Sequence, residues 1–495
     1  MKSQSQARPL TVVLTVVTGA IMVPVDATIV NVALTKLAQA TGATLPQIQW
    51  IATSYALALA AVLPVAAWLI SRFGARAVFL SAVGLFAVGS ALVAASWNVE
   101  SMIAFRAVQG LAGGVVMPAT MTLVLGAAPP QERGRMMALL GLPIMLGPIL
   151  APVLGGWLLD TFSWRWMFLI NLPIGAVAVL LGMRNLPNVP TGPRPSMDWL
   201  GLALLPPGMS LLVFAASRVE SGALPWGTTA LFGTGVILVV AFTLLALRMD
   251  TPLLNVRLLG QRFTGGGTAV LVLYTGATMG ALILMPLYWQ VLEGESALRT
   301  GLFMAPGAVA AAAVIRLSGS LIDAFAPLVV IGSGIAATAI GYALLAIAVA
   351  NDAPSWVIIA GWVVVSVGSA FTVMPATTTA TRHLPPTDIP SGTTLLQVTA
   401  QISAAFSVVV VSVLLASRLS THLDAPNATI SALAALPPAE RAHVAPQIAD
   451  AFAETFWLPT ALTTLAGLLA IGVFRRLPAP KPRGEAHVDQ PTPAA

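Results

Sequence analysis

Two charged residues inside long apolar stretches have the clearest potential for chemistry in this sequence. Asp26 interrupts an apolar stretch from about residue 10 to 34, and Arg106 interrupts another from about 101 to 126. A charge among apolar side chains is costly, so it marks a functional site or a structural pair. A carboxyl group removed from water holds its proton more tightly, whereas a neighbouring Arg favours its release. Such a pair can therefore take up and release a proton.

Helix geometry predicts similar depths for these two charges. Asp26 lies eight residues before Leu34, which is about 12 Å from that end of its stretch at 1.5 Å per residue. Arg106 lies six residues after Glu100, about 9 Å from the same side. We therefore predict that Asp26 and Arg106 form a proton-coupling pair. The alternative is a fixed ion pair that only joins two helices.

Arg316 is the third charge inside an apolar stretch. It lies about seven residues from the end of that stretch, so its long side chain can reach the membrane surface. A substrate anion is the other partner that Arg316 permits.

Metal and nucleotide chemistry have little support in the sequence. The chain has no Cys, which excludes thiolate metal sites and disulfides. Gly265–Gly267 lacks the Lys-Ser/Thr of a phosphate loop. The four histidines all lie outside the apolar stretches, at His383, His422, His443 and His487. We expect no metal and no cofactor, with a proton gradient as the energy source.

The composition indicates where these charges must operate. Of 495 residues, 57% are hydrophobic and 8% are charged, whereas soluble proteins carry about 25% charged residues. This excludes an ordinary soluble enzyme or nucleic-acid binder. Apolar stretches of about 20 residues can each cross the bilayer as a helix, which satisfies its own backbone polar groups. The predicted fold class is an all-α polytopic membrane protein.

Fourteen apolar stretches predict fourteen transmembrane helices. They lie at approximately 10–34, 47–71, 77–96, 101–126, 136–159, 166–184, 198–217, 228–248, 264–292, 300–323, 327–350, 355–380, 393–417 and 454–474. An even number of spans places both termini on one side of the membrane. Most of the 24 Lys and Arg residues then share that side, which predicts cytoplasmic termini.

A faint internal repeat predicts how the fourteen helices are grouped. TGAIM at Thr18–Met22 recurs as TGATM at Thr275–Met279, and VMPATMT at Val116–Thr122 recurs as VMPATTT at Val373–Thr379, both 257 residues later. Two six-helix halves, with two helices inserted between them, explain this offset, and transporters commonly use such repeats. The predicted parts are an N-terminal six-helix bundle over 1–190, two inserted helices over 191–258, a C-terminal six-helix bundle over 259–478 with an external loop over 418–453, and a cytoplasmic tail over 479–495.

Four motifs in order resemble the major facilitator superfamily, in particular its fourteen-helix drug/proton antiporter family. They are DATIVNVAL at Asp26–Leu34, FRAVQG at Phe105–Gly110, LGPILAPVLGG at Leu146–Gly156 and WRWMFLINLPIG at Trp164–Gly175. The resemblance covers essentially the whole chain. It implies that Asp26 takes part in proton coupling with Arg106, while Asn31, Gln109 and Gly110 provide helix packing and polar support.

The third motif resembles the antiporter motif of the family's fifth helix. Its small and helix-bending residues are Gly147, Pro148, Pro152, Gly155 and Gly156. Small residues let another helix approach closely, and the prolines favour a bend. We predict a gating role for this segment, with ordinary small-residue packing as the alternative.

One loop departs from the family's pattern. Arg72, Gly74 and Arg76 match part of a loop motif that is held to lock the inward gate through charge contacts, but Ser71 stands where the family has an acid. The corresponding segment of the second half keeps Asp323. The predicted latch is therefore weaker here, or Arg72 and Arg76 have different partners.

Flexible Met and aromatic side chains suit the binding of varied apolar ligands. The substrate-lining candidates are Tyr55, Met117, Met145, Tyr274, Met279, Phe371, Met374, Gln397 and Gln401. Lipid contact or core packing is the alternative for each of them. A lipophilic cation suits the single buried acid, although neutral compounds and anions stay open.

The predicted function is a proton-coupled secondary active exporter (antiporter) of lipophilic drugs or toxic compounds, with cations as one candidate class, working by alternating access. Export of an endogenous lipid or metabolite is the alternative, followed by a channel or an intramembrane enzyme. An enzyme is disfavoured because no buried nucleophile and base are visible. The expected partners are small lipophilic substrates, protons and membrane lipids, without nucleic acid. We expect a functional monomer in the bacterial cytoplasmic (inner) membrane.

Overall fold

The computed structural model describes residues 9–41, 43–129, 131–187, 196–218, 226–423, 438–475 and 477. Within its helices, the side chains of residues 31–36, 38–41, 45–46, 142–153, 156, 160, 297–298, 438–439 and 442 are not described. The predicted tail over 479–495 lies outside the described residues.

The first part of the chain folds into nine helices that form six spans. They are α1 (Pro9–Ala20), α2 (Met22–Thr41), α3 (Leu45–Val62), α4 (Ala66–Phe73), α5 (Ala75–Ala94), α6 (Val99–Ala127), α7 (Arg133–Thr161), α8 (Trp166–Leu169) and α9 (Asn171–Asn185). A short 3-10 turn, Leu63–Val65, joins α3 to α4 in one span. Pro24 follows the break at Ile21 between α1 and α2, and Pro64 lies in the 3-10 turn. Proline favours both breaks, because it cannot donate the backbone hydrogen bond that continues a helix.

The rest of the chain supplies eight further spans. They are α10 (Trp199–Ser217), α11 (Trp226–Ala246), α12 (Arg262–Leu287), α13 (Ala297–Ala324), α14 (Pro327–Ala350), α15 (Ser355–Thr381), α16 (Ile389–His422) and α17 (Pro438–Phe474). A π-helical turn, Tyr288–Leu292, extends α12. No strand occurs among the residues that the structure describes.

The predicted all-α fold with fourteen spans is confirmed. Thirteen of the spans are long and apolar enough to cross a membrane. The fourteenth is α7, whose 29 residues carry charge only at its two ends. The repeat is also visible in the helices, since Pro118 lies inside α6 and Pro375 lies inside α15.

The segment 418–453, predicted as an external loop, is helical at both ends. Helix α16 continues to His422, and α17 already begins at Pro438. Arg418 and His422 contact Glu454 at 3.0 and 3.2 Å, which ties the ends of α16 and α17 together. With 37 residues, α17 is about 55 Å long at 1.5 Å per residue, so it projects beyond the bilayer. The helices are longer than the apolar stretches because such a stretch marks only the part of a helix that lies in lipid.

The inserted pair α10 and α11 forms a hairpin whose base is fixed by Asp198. This buried carboxylate accepts hydrogen bonds from Gly201 N at 2.7 Å, at the start of α10, and from Leu253 N at 2.9 Å, after α11. The hairpin packs against α3 and α16. Phe214 contacts Trp50 of α3, while Phe232 contacts Phe406 of α16. It therefore touches both six-helix parts of the chain.

The hydrophobic clusters on the two membrane sides draw on different parts of the chain. We call the side on which α1 begins and α17 ends the terminal side. There, one cluster combines Val12, Leu123 and Met137 with Ile389 and Val398 from the second part of the chain. Near the opposite side, one cluster around Ile29 and Phe168 draws only on the first part, and another around Trp289 and Phe456 only on the second part.

Candidate functional site

Asp26 and Arg106 form a fully buried ion pair between α2 and α6. Arg106 Nη1 donates to Asp26 Oδ2, and neither side chain has any exposed surface. Arg106 also donates from Nε to the Ile51 carbonyl at 3.3 Å and from Nη1 to Gln109 Oε1 at 2.6 Å. The structure thus brings together the two charges that the sequence singled out.

The second oxygen of Asp26 accepts from two amides. Gln109 Nε2 on α6 lies 3.0 Å from Oδ1, and Asn171 Nδ2 on α9 lies 2.9 Å from it. Both amides also donate to Ser90 Oγ on α5, at 2.5 and 3.1 Å respectively. Asn171 and Ser90 are almost completely buried. Four helices therefore supply one connected polar cluster, which we call the Asp26 cage and which comprises Asp26, Ser90, Arg106, Gln109 and Asn171.

Three side chains of the cage donate to the same carboxylate. They are Arg106, Gln109 and Asn171. Hydrogen bonds of this kind favour the ionised form of a carboxyl group, as does the charge of an arginine, whereas removal from water favours the neutral form. The cage thus combines opposing influences on one buried acid.

Tyr55 forms one wall of the cage. Its ring lies under the Arg106 guanidinium, with the Arg106 Cζ atom 4.2 Å from the ring centre. The phenol faces the Val23 carbonyl at 3.5 Å. A buried cation over an aromatic face is stabilised by the ring electrons. Tyr55 therefore packs against the ion pair, and its predicted role in lining a substrate site stays a prediction.

Close approach of α3 and α6 requires glycine at position 110. A Cβ atom on Gly110 would lie 2.3 Å from the Tyr55 carbonyl oxygen, too near for any side chain. The helix-packing role predicted for Gly110 agrees with this geometry. Asn31 lies in α2, but its side chain is not described.

The segment Leu146–Gly156, which resembles the antiporter motif, lies in the second half of α7, away from the terminal side. Gly155 is buried. The structure does not describe the side chains of Pro148 and Pro152 or the surroundings of Gly147 and Gly156. The gating role of this segment stays a prediction.

The loop-motif residues have separate surroundings on the terminal side. Gly74 joins α4 to α5 with a φ of 87°, a left-handed conformation that glycine adopts without strain. Arg72 lies over the Trp68 ring at 5.9 Å, and Arg76 donates to the Met183 carbonyl.

Asp323, at the end of α13, contacts the other half of the chain. Its two oxygens accept from the backbone N–H groups of Gly134 and Arg135, each at 2.9 Å. These groups begin α7, where a helix has free donors and a positive dipole end.

Nearby, burial and the Arg382 charge lower the pKa of His383 below its usual 6.5, so this ring is neutral at pH 7.

The predicted substrate-lining residues lie in both halves of the chain. Tyr274 is buried in the second half, where its hydroxyl lies 2.8 Å from Thr338 Oγ1. Met279 is 36% exposed, and the Met145 side chain is not described. Gln397 Nε2 contacts the Met121 sulfur at 3.4 Å. The others lie in helices and are buried or half-buried: Met117, Phe371, Met374 and Gln401.

Arg316 lies in α13 with an exposed side chain. That position agrees with the interpretation that it reaches the membrane surface.

Sequence reasoning missed Ser90 and Asn171 as members of the cage. Ser90 is one of many small polar residues in apolar helices and carries no distinguishing signal. Asn171 stood inside a quoted motif, WRWMFLINLPIG, and a buried amide in an apolar helix is a signal for hydrogen bonding. Only the packing of α5 and α9 against α2 and α6 shows their common target.

The amino-acid sequence is similar to a family model and to known proteins. The family model described as the Major Facilitator Superfamily matches residues 16–408. The multidrug resistance protein B homolog of Mycobacterium tuberculosis is 32% identical over 403 residues, covering 81% of this chain and 75% of that protein. The putative multidrug resistance protein MdtD of Pectobacterium atrosepticum is 30% identical over 411 residues, covering 82% and 87% of the two chains.

Two solved structures share the fold at low sequence identity. The proton:xylose symporter XylE matches with a TM-score of 0.61 and 16% identity over 93% of this chain and 94% of that one. The human organic anion transporter MFSD10 matches with a TM-score of 0.56 and 17% identity over 94% and 100% of the chains.

Proposed function

The chain belongs to the major facilitator superfamily, a family of membrane transporters and not of enzymes, and we propose that it is a proton-coupled exporter of lipophilic compounds. The observation that carries the proposal is the fully buried pair of Asp26 and Arg106. Burying two charges in an apolar helix bundle costs free energy, so such a pair marks a functional site by default. We attribute the pair to controlled uptake and release of a proton.

The proton cycle follows from the contacts of the Asp26 cage. In the observed arrangement Arg106, Gln109 and Asn171 all donate to the carboxylate, and we assign this arrangement to the stage of the cycle after proton release. Protonation removes the negative charge and weakens all three contacts. The neutral side chain no longer holds α2 against α6 and α9, so these helices can adopt a second arrangement. Export then couples entry of one proton from outside to exit of substrate.

Alternating access also requires a gate on each side of the membrane. On the terminal side the halves share a hydrophobic cluster and the contact of Asp323 with the start of α7. We propose that this contact replaces part of the family's loop latch, which lacks its acid at Ser71. The observed state is then closed towards the cytoplasm, with both termini there and the protein in a bacterial inner membrane.

Lipophilic, cationic compounds are the proposed substrates. Two similar proteins are named as multidrug resistance proteins, and Met side chains such as Met117 and Met374 adapt to varied apolar ligands. An acid that exchanges a proton for a cation also keeps the charge balanced. Export of an endogenous lipid or metabolite is the competing assignment.

Transport into inverted membrane vesicles tests the proposal. With an acidic lumen, vesicles containing the protein should accumulate ethidium, a lipophilic cation, and should release lumenal protons in step with it. Asp26→Asn should insert normally but abolish gradient-driven accumulation, whereas the exposed-acid control Asp250→Asn should transport like the unmodified protein. Gradient-driven transport at full rate by Asp26→Asn would refute the coupling role.

The same vesicles separate the two substrate classes. A panel of cationic, neutral and anionic dyes should show preference for cations. If no dye is carried, while lipid composition changes in a strain lacking the protein, the endogenous lipid assignment is supported and the drug assignment fails.

A further inference from the structure

We propose that Asn171 is a positioning residue of the proton site, acting with Ser90 to set the pH at which Asp26 exchanges its proton. The inference deepens the proposed function and rests on it for its role in transport. Its structural basis is the pair of bonds that one amide makes, at 2.9 Å to Asp26 Oδ1 and at 3.1 Å to Ser90 Oγ. Both hydrogens of the amide are thereby used.

Ser90 fixes the orientation of the two amides in the cage. Gln109 Nε2 also bonds to both Asp26 Oδ1 and Ser90 Oγ, at 3.0 and 2.5 Å. Because the hydroxyl oxygen accepts from both, it holds both NH₂ groups facing the same carboxylate oxygen. An amide with its oxygen turned towards Asp26 would repel the ionised carboxylate. Ser90 thus acts through Gln109 and Asn171, without touching Asp26 itself.

The charged and titratable groups facing this carboxylate are few among the described residues. Arg106 on α6 donates to it, and Tyr55 on α3 lies on the far side of that guanidinium. Helices α1 and α8 carry no titratable side chain, α5 carries only Arg76 at its start, and α9 carries only Arg184 near its other end. Helix α7 carries Arg133 and Arg135 at its start on the terminal side and Asp160 near its other end, where the side chain is not described. Asn171 is therefore a neutral donor that adjusts the site without adding charge.

The position of Asn171 explains why a neutral donor matters here. It is the first residue of α9, so it joins the sixth span to the carboxylate on the first span. The bond depends on the ionised form, since a protonated carboxyl oxygen is a weaker acceptor. Loss of the proton therefore draws α2 and α9 together, and its gain releases them.

A direct titration of the Asp26 carboxyl group tests this role without any substrate. Infrared difference spectra of the purified full chain in lipid nanodiscs follow the protonated carboxyl band, assigned as the band absent from Asp26→Asn. In Asn171→Ala the ionised form loses one donor, so the midpoint should move upward by about one to two pH units. The pH profile of ethidium transport should move in the same direction.

Asn185→Ala is the matched control. Asn185 lies on the same helix and also bonds to the first span, through Nδ2 to Thr15 Oγ1 at 3.1 Å, but far from the cage. This variant should leave the Asp26 midpoint unchanged. If the midpoint in Asn171→Ala also equals that of the unmodified protein, Asn171 does not set proton affinity and the inference is wrong.

Asn171→Leu guards against a fold that does not tolerate the cavity left by alanine. Leucine is close to asparagine in size but donates no hydrogen bond, so the ionised carboxylate again loses one donor. The midpoint should move upward as in Asn171→Ala, and an unshifted midpoint in a folded Asn171→Leu protein would overturn the inference. If the midpoints shift as expected while no variant transports any dye, the positioning role stands and the proposed drug export fails.

Discussion

The side chains around Asp26 use almost all of their hydrogen-bonding capacity on one another. Arg106 contacts a carboxylate, an amide oxygen and a backbone carbonyl, and its face covers the Tyr55 ring. Only Nη2 of this guanidinium lacks a partner among the described residues. A point charge could satisfy the carboxylate, but only a planar group with donors on several edges makes all these contacts.

Arg106→Lys should therefore fail although it keeps the charge. Lysine cannot reach the Ile51 carbonyl and Gln109 together with Asp26, so buried acceptors lose their donors. We expect a loss of roughly 2–4 kcal/mol in the free energy of unfolding and loss of proton-driven transport. Thermal unfolding in detergent and vesicle uptake measure the two effects.

Arg165→Lys provides the comparison for Arg106→Lys. Arg165 Cζ lies 4.5 Å from the Trp164 ring centre, which is a similar aromatic contact, but its side chain is exposed. Both measurements should change little in this variant. Equal tolerance of lysine at the two positions would show that the charge alone suffices at 106.

Among the elements, helix type and number were predictable, whereas helix breaks and ends were not. Apolar length identifies each crossing, because the bilayer demands about 20 residues. The break at Ile21 and the extension of α17 to Pro438 depend on backbone bonds and on packing outside lipid. The Asp26–Arg106 contact was likewise predictable from depth, but Ser90 and Asn171 required the arrangement of four helices.

The break between α1 and α2 has a consequence for the proton site. Pro24 has no N–H to donate to the Ala20 carbonyl, and Asp26 lies two residues later on α2. A helix that lacks this bond bends more easily at that point. We expect α2 to tilt about this break when Asp26 is protonated, since its contacts to α6 and α9 then weaken.

Pro24→Ala should restore the missing bond and stiffen the first span. The fold should be stabilised by up to about 3 kcal/mol, with a higher unfolding temperature, while the rate of gradient-driven ethidium uptake falls. Pro459→Ala, inside α17, should not slow transport. A Pro24→Ala protein that transports at the unmodified rate would show that the bend at this break is not used.

At the scale of the whole molecule, the two halves meet most closely on the terminal side. Helix α7, the fifth span of the first half, packs along α13, the second span of the other half. The equivalent pair is also in contact, since α4 in the second span packs against α16, the fifth span of the other half. The repeat in the sequence predicts this symmetry. It does not predict on which membrane side the halves meet more closely, because the same helices would face each other on either side.

Separation of the halves on the terminal side can be tested by cross-linking. Thr122 Oγ1 on α6 lies 3.2 Å from Thr393 Oγ1 on α16, which is near enough for a disulfide between cysteines at the two positions. The chain has no Cys of its own, so only the introduced pair can react. Oxidised Thr122→Cys/Thr393→Cys should neither open on this side nor transport, and a reductant should restore ethidium uptake.

A second pair of cysteines within one half distinguishes gating from general rigidity. Gly276 on α12 and Ser403 on α16 belong to the same six-helix half, and a Cβ atom at Gly276 would lie 3.1 Å from Ser403 Oγ. Oxidised Gly276→Cys/Ser403→Cys should still transport, because rocking of the halves leaves this distance unchanged. Full transport by the oxidised 122/393 pair would mean that α6 and α16 stay together throughout the cycle. Alternating access would then require an opening elsewhere than between these helices.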